Sequence, residues 1–345
     1  MEMRNDMSIL EVKDLRVSFH TYAGKVQAVR GVSFSVDKGK TLAIVGESGC
    51  GKSVTVQTIM KLTPTPPAFI EEGSILYEGK DIVGYTEKEM QKLRGKEFSM
   101  IFQDPMTSLN PTMRVGRQIN ENILKHMSLS KKEATERTME MMRLVGIANP
   151  EINMLRYPHT YSGGMRQRIM IAMGMSANPK ILFADEPTTA LDVTTQSQIL
   201  DLINDLKKKF QMAVVLITHN LGVVARMADH VAVMYAGKVV ETGTVREVFY
   251  EPRHPYTWGL LKSMPDAADT DGSRELTAIP GTPPDLFAPP EGCAFAARCP
   301  YAMKACLKAQ PEETCLSETH KVSCHLLDPR APKVEPYHAK RHKLD

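Results

Sequence analysis

Eight residues constrain this chain more than any others: Gly46-Glu47-Ser48-Gly49-Cys50-Gly51-Lys52-Ser53, which fit G-x-x-x-x-G-K-[ST] directly after the apolar run TLAIV. Glycines let such a loop wrap so that successive backbone N–H groups point inward at phosphate oxygens. The helix expected after it adds its positive N-terminal end. Lys52 can then reach β- and γ-phosphates, and Ser53 can ligate Mg²⁺. A chance glycine turn has the same letters, but not a buried strand before it and helix-compatible sequence after it. Cys50 occupies a variable position of the loop and reads as a small filler.

The flanking sequence predicts an α/β fold. Alternating apolar positions across Val26–Val36 predict an antiparallel, half-solvated strand pair, and Leu42–Gly46 predicts a strand buried on both faces. From Thr86 to Arg156, Leu, Ile and Met recur at helical spacing between charged residues, which predicts a helical insert. Beyond Ser162 a helix, the strand ILFADE, a helix across Gln196–Lys209, the strand MAVVLIT, another helix and the strand HVAVMYAG follow in turn. Such alternation implies a parallel sheet. Ile181–Glu186 delivers two carboxylates at a strand's C-terminal end, where α/β sheets bind ligands. Asp185 would hold Mg²⁺ and Glu186 would polarise an attacking water as general base. Alone, two acids there are often a solvated strand end; after a phosphate loop they gain meaning.

Between these elements lies Ser162-Gly163-Gly164-Met165-Arg166-Gln167-Arg168, followed by the apolar IMIAMGM. A hydroxyl and two glycine amides before a helix form an anion site without its own lysine. An isolated SGG would read as an ordinary helix cap. This stretch resembles the signature of ABC ATPases, LSGGQ followed by QR, with Tyr161 at the Leu position and Met165 at the Gln position. The resemblance implies a phosphate-loop NTPase of ABC type, with a mixed-sheet core, an antiparallel β subdomain and the helical insert. It also implies roles for three further residues. Gln103, in FSMIFQDP, matches the Q-loop that contacts Mg²⁺ or the attacking water. Asp192, in TTALD, matches the D-loop lining the dimer seam. His219, in VVLITHN, matches the switch histidine on the γ-phosphate. An aromatic ring should stack on adenine ahead of the first strand pair; Phe19 and Tyr22 both lie there, and Phe19 is preferred over Tyr22. Either could instead be a strand residue.

Five of the six cysteines fall between Cys293 and Cys324. Cys293, Cys299 and Cys306 are spaced C-x5-C-x6-C, and Cys315 and Cys324 follow. None of these gaps is the C-x2-C of a zinc finger or a bacterial ferredoxin. Spacing alone therefore leaves zinc, an iron–sulfur cluster and incidental thiols open. SGGMRQR, HPYTWGLLKSMP, IPGTPPDL and the CxFxxRCPxAxxxC segment together are similar to the peptide/nickel importer ATPases, over about residues 8–325. That resemblance implies a [4Fe–4S] cluster on Cys293, Cys299, Cys306 and Cys324, with Cys315 as a surplus thiol that could displace Cys324.

The implied organisation is an ABC ATPase domain over 8–263 with its helical subdomain at about 87–160, a Pro/Gly-rich linker over 264–290, a small Cys-rich iron–sulfur segment over 291–326 and a polar tail over 327–345. The implied activity is ATP hydrolysis at a head-to-tail ATPase pair, driving import of oligopeptides or dipeptides. Nickel or another small solute is the alternative cargo. The implied partners are a second, homologous ATPase chain, two transmembrane permease subunits docked on the insert between Gln103 and Tyr157, and indirectly an extracytoplasmic substrate-binding protein.

Composition bounds the remaining classes. No apolar run approaches the roughly 18 residues that a membrane span needs, and the N-terminus lacks the basic-then-apolar plan of a secretory signal. The expected location is peripheral, on the cytoplasmic face of the membrane. Forty-three Lys and Arg against 40 Asp and Glu give a net charge of +3, which supplies no basic footprint for nucleic acid. A soluble ABC ATPase acting on nucleic acid or ribosomes would show a long coiled coil between the half-motifs or two cassettes, and neither is present. A regulatory metal protein with a vestigial nucleotide fold is weakened because Lys52, Ser162, Glu186 and His219 are all intact.

Overall fold

The computed structural model describes residues 8–104, 108–189, 191–264, 278–335 and 337. Residues 265–277 of the expected linker and residues 336 and 338–345 of the expected tail lie outside the described residues. Two long strands, β1 (Ser8–Thr21) and β2 (Gly24–Asp37), turn at Tyr22–Ala23. β3 (Thr41–Val45) is buried at every position and runs through the phosphate loop into α1 (Lys52–Ile59). β4 (Ala68–Tyr77) and β5 (Lys80–Asp81) follow, then α2 (Glu87–Leu93), which starts with a Thr86/Glu89 capping box. β6 (Phe98–Ile101) leads to α3 (Val115–His126), α4 (Lys131–Leu144), α5 (Pro150–Asn153) and α6 (Gly163–Met175). The strand β6 thus falls inside the stretch read as a helical insert, because its four apolar residues are too few to show a period.

The chain then runs through β7 (Ile181–Asp185), α7 (Val193–Phe210), β8 (Ala213–Thr218), α8 (Leu221–Met227), β9 (His230–Tyr235) and β10 (Lys238–Thr244). α9 (Val245–Tyr250), α10 (Pro255–Lys262), α11 (Lys304–Lys308), β11 (Glu313–Cys315) and β12 (Lys321–Ser323) complete it.

Residues 1–9, 36–41 and 84–217 make one compact unit, and 10–35, 42–83 and 218–345 the other. In the first unit β6, β7 and β8 pair in parallel, with Phe98 opposite Ile181 and Ile181 opposite Ala213. Their residues are buried throughout, so these strands read as continuous apolar runs rather than as alternation.

The second unit holds the antiparallel sheet β2-β1-β4-β5. It also holds the parallel pair β3–β9, extended antiparallel through β10, β12 and β11. The cysteine-rich segment was expected as a separate small domain, and the structure differs. β12 pairs directly with β10, and Phe295 is buried in one core with Val45, Val233, Tyr235, Val240 and Tyr256. A segment this short buries too little apolar surface to stand alone, so it borrows the core beside it.

Candidate functional site

In the second unit the phosphate loop is shaped by two close approaches. A Cβ on Gly46 would sit 2.1 Å from the Met234 carbonyl oxygen, and one on Gly51, at φ 100°, would sit 2.4 Å from that of Ala28. Only glycine fits either place. The buried Lys52 ammonium donates to the carbonyls of Gly46 at 2.8 Å and Glu47 at 2.9 Å. Ser48 and Gly49 are exposed at the loop's tip, and Ser53 opens α1. Burial pushes the Cys50 thiol up, which suits the filler role read from its position. His219 is exposed just past β8, where Asn220 caps α8 by accepting from Gly222 N at 2.9 Å. Phe19 is half-buried opposite Ala68, whereas Tyr22 is fully exposed at the β1–β2 turn.

In the first unit the structure brings Gln103 and Glu186 together. Gln103 Nε2 donates to Glu186 Oε2 at 3.1 Å, and Thr189 Oγ1 donates to the same oxygen at 2.9 Å. Glu186 adopts a left-handed backbone at φ 46°, with its N–H bonded to the Ile217 carbonyl at 2.9 Å. Such strain in a non-glycine residue survives where its surroundings impose it, and it concentrates at functional sites. Asp185 ends β7 and is buried. Thr189 was not singled out from sequence; three residues past a candidate base it had no signal of its own.

The signature lies in the same unit. Ser162 caps α6, its hydroxyl accepting weakly from Met165 N at 3.4 Å. Tyr161, at the Leu position, is buried and its hydroxyl donates to the Asn153 carbonyl. Gln167 Nε2 donates to the Pro187 carbonyl at 2.6 Å, which ties the signature helix to the turn after Glu186. Asp192 caps α7 by accepting from Thr195 N at 2.9 Å, and that bond holds its carboxyl below the usual range. The two glycines differ. A Cβ on Gly164 would meet Thr195 Cγ2 at 2.7 Å, whereas one on Gly163 would meet only Leu191 Cδ2 at an ordinary 3.8 Å.

Comparison with known proteins places this geometry. A model described as ABC transporter matches residues 29–189, and one described as oligopeptide/dipeptide transporter, C-terminal region, matches 240–306. The oligopeptide transport ATP-binding protein OppD of Bacillus subtilis (strain 168) is 62% identical over 336 residues, covering 97% of this chain and 94% of that protein. The chain belongs to this family of ABC transporter ATP-binding proteins. The dipeptide transport ATP-binding protein DppD of the same organism is 57% identical, over 94% of this chain and 96% of that protein. Among solved structures, the dimeric structure of MJ0796, a bacterial ABC transporter cassette, aligns with a TM-score of 0.61 at 25% identity, covering 69% of this chain and 99% of that one.

The family's C-terminal region contains Cys293, Cys299 and Cys306. All the cysteines are free thiols. Cys293, Cys299 and Cys324 are half-buried, Cys306 is buried and Cys315 is exposed on β11. Burial, with the nearby Cys293, Cys299 and Cys306 thiols, pushes Cys324 up to about 12. Cys299 rises to about 11 through burial and the Cys293 and Cys306 thiols. Four thiols therefore share one neighbourhood, and Cys315 does not figure among them. Among the described residues, however, no three His, Cys, Asp or Glu side chains form a group that could hold a metal ion.

Proposed function

We propose that this chain is the ATP-hydrolysing subunit of an ABC importer that takes up oligopeptides or dipeptides through separate membrane subunits. The observation that carries this reading is the near full-length identity with oligopeptide and dipeptide transport ATP-binding proteins, on a chain that keeps every motif of the hydrolytic machinery. Nickel or another small solute is the alternative cargo within the group. A soluble ABC ATPase acting on nucleic acid is the alternative of a different class.

In this reading the backbone of Gly46–Gly51 and the Lys52 ammonium bind the ATP phosphates. Ser53, Gln103 and Asp185 would supply oxygens for Mg²⁺, which would offset the negative charge of the phosphates. Glu186 orients the attacking water and takes its proton, while Gln103 and Thr189 fix the carboxylate that does so. His219 stabilises charge on the γ-phosphate. Ser162, Gly163 and Gly164 cap a nucleotide held by a second ATPase subunit, with Asp192 along the seam. Exposed Tyr22 offers the adenine a free ring face that half-buried Phe19 does not.

No helix among the described residues is long and apolar enough to cross a membrane. Coupling therefore falls to docking, and Ile152, Leu155 and Tyr157 expose apolar surface on the insert where permease helices would bind. Peripheral attachment on the cytoplasmic face follows from that docking. The test is reconstitution of the chain with its neighbouring subunits in proteoliposomes. ATP-dependent uptake of a labelled tripeptide is expected; nickel uptake without peptide uptake would reassign the cargo, and ATPase indifferent to the membrane subunits would overturn transport.

For the C-terminal segment we propose Cys293, Cys299, Cys306 and Cys324 as ligands of a [4Fe–4S] cluster, supported by the shared neighbourhood of these four thiols. Domain limits stay as read from sequence, except that 291–326 functions as part of the cassette's own core.

A further inference from the structure

The phosphate loop and the cysteine-bearing segment meet in one partly buried ion pair, between residues 251 positions apart. Arg298 Nη1 donates to Glu47 Oε2 at 2.7 Å, and Nη2 donates to Glu47 Oε1 at 3.0 Å. The remaining guanidinium hydrogens go to the Pro280 carbonyl at 2.8 Å, the Ile279 carbonyl at 3.2 Å and the Tyr235 hydroxyl at 3.2 Å. All five N–H donors are thus engaged, and the Arg298 side chain is only 6% exposed. Arg298 immediately precedes Cys299, and Ile279–Pro280 belongs to the IPGTPPDL stretch. One planar fork joins three segments that sequence reading treated as separate.

Glu47 is held from outside the loop at two points, and from inside through its carbonyl, which accepts from Cys50 N at 3.4 Å as well as from the lysine. Its carboxylate sits in the fork, its N–H donates to the Tyr256 hydroxyl at 2.9 Å, and its carbonyl accepts from Lys52 Nζ at 2.9 Å. The atom that receives the lysine is therefore placed by groups from the C-terminal part of the chain. We propose that Arg298 is a positioning residue for the phosphate loop, so that ATP affinity depends on the cysteine-bearing segment that carries it. This rests on the reading of Gly46–Ser53 as the ATP site. The half-buried carboxylate is gripped bidentately by a guanidinium that is itself almost fully buried, and there a lysine could offer only a point contact. Loss of the fork frees Glu47 to turn, and the Lys52 ammonium loses one of its two carbonyl rests.

The test measures equilibrium binding of a fluorescent ATP analogue, ATPase kinetics and thermal melting for the full chain. The variants are R298A, R298K, E47Q, the double E47Q/R298A, and K52A as reference for the loop. R298A and E47Q are each expected to weaken nucleotide binding about ten-fold, with R298K between them and the wild type. The double variant is expected to bind no worse than the weaker single, while kcat at saturating ATP changes less than KM. K52A losing binding while R298A and E47Q bind like the wild type, even with lowered melting points, would reduce the pair to a stability strut and overturn the proposal. Multiplying effects in the double variant would overturn it as well, since the two side chains would then act separately. Binding indifferent to K52A would instead sink the ATP reading of the loop. Should R298A not fold, R298K and E47Q carry the same comparison.

Discussion

Gln103 donates its side-chain amide to the Glu186 carboxylate across 3.1 Å, and the residues are 83 positions apart in the chain. The contact joins the end of β6 to the end of β7 and leaves the carboxylate oriented by two neutral donors, Gln103 and Thr189. Neutral donors aim a base without neutralising it, which is what a water-activating carboxylate requires.

Replacing that carboxylate separates binding from chemistry. Glu186→Gln keeps the size and the donor contacts but removes the proton acceptor. ATP binding is expected to persist while turnover falls by about two orders of magnitude or more. Steady-state hydrolysis by E186Q near the wild-type rate would remove Glu186 from the base role.

The signature glycines should part company on substitution. Gly164→Ala drives a methyl into Thr195, at 2.7 Å, and is expected to lower the melting temperature by several degrees. Gly163→Ala meets nothing closer than 3.8 Å and should melt within about a degree of the wild type. Its ATPase should nevertheless drop about ten-fold or more under the role proposed for Gly163, which turns its open face to a nucleotide on another subunit. Full ATPase in G163A would argue against that role.

Stability should fall in mild acid through His254. The ring is fully buried, and burial lowers it to about 4 from 6.5, against a partial opposing pull from Glu241. Its Nδ1 accepts from Tyr256 N at 3.0 Å, so the neutral ring carries its proton on Nε2, which finds no partner among the described residues. Between pH 6.5 and 4 the unfolded chain binds the extra proton, so this contribution is complete above that window and is lost as pH falls through it. Melting temperatures at pH 7 and pH 5 should diverge more in the wild type than in H254N, whose Oδ1 accepts the same N–H without titrating. Parallel pH profiles for the two proteins would assign the acid sensitivity elsewhere.

Metal content distinguishes the last two cysteines. After anaerobic purification the wild type is expected to carry iron and acid-labile sulfide in equal amounts. C315S should keep both and C324S should lose them, since the Cys324 thiol feels Cys293, Cys299 and Cys306. Stoichiometric zinc, or iron retained in C324S and lost in C315S, would overturn that ligand set.

Much of this protein was legible in one dimension. The apolar runs of β3, β7 and β8, the glycine loop before α1 and the SGG cap of α6 are local patterns, in which neighbouring residues carry the whole signal. They determined the fold class, the nucleotide motifs and the family resemblance before any contact was known. Tertiary structure decided what depends on distant partners. It packed Phe295 against Tyr235 and Tyr256, so that the cysteine-rich end is part of the cassette core. It set Thr189 on Glu186, and it set Arg298 on Glu47. A guanidinium as buried as that of Arg298 needs a paired carboxylate, and nothing in the letters around Glu47 or Arg298 names the other; only the folded chain brings them within reach.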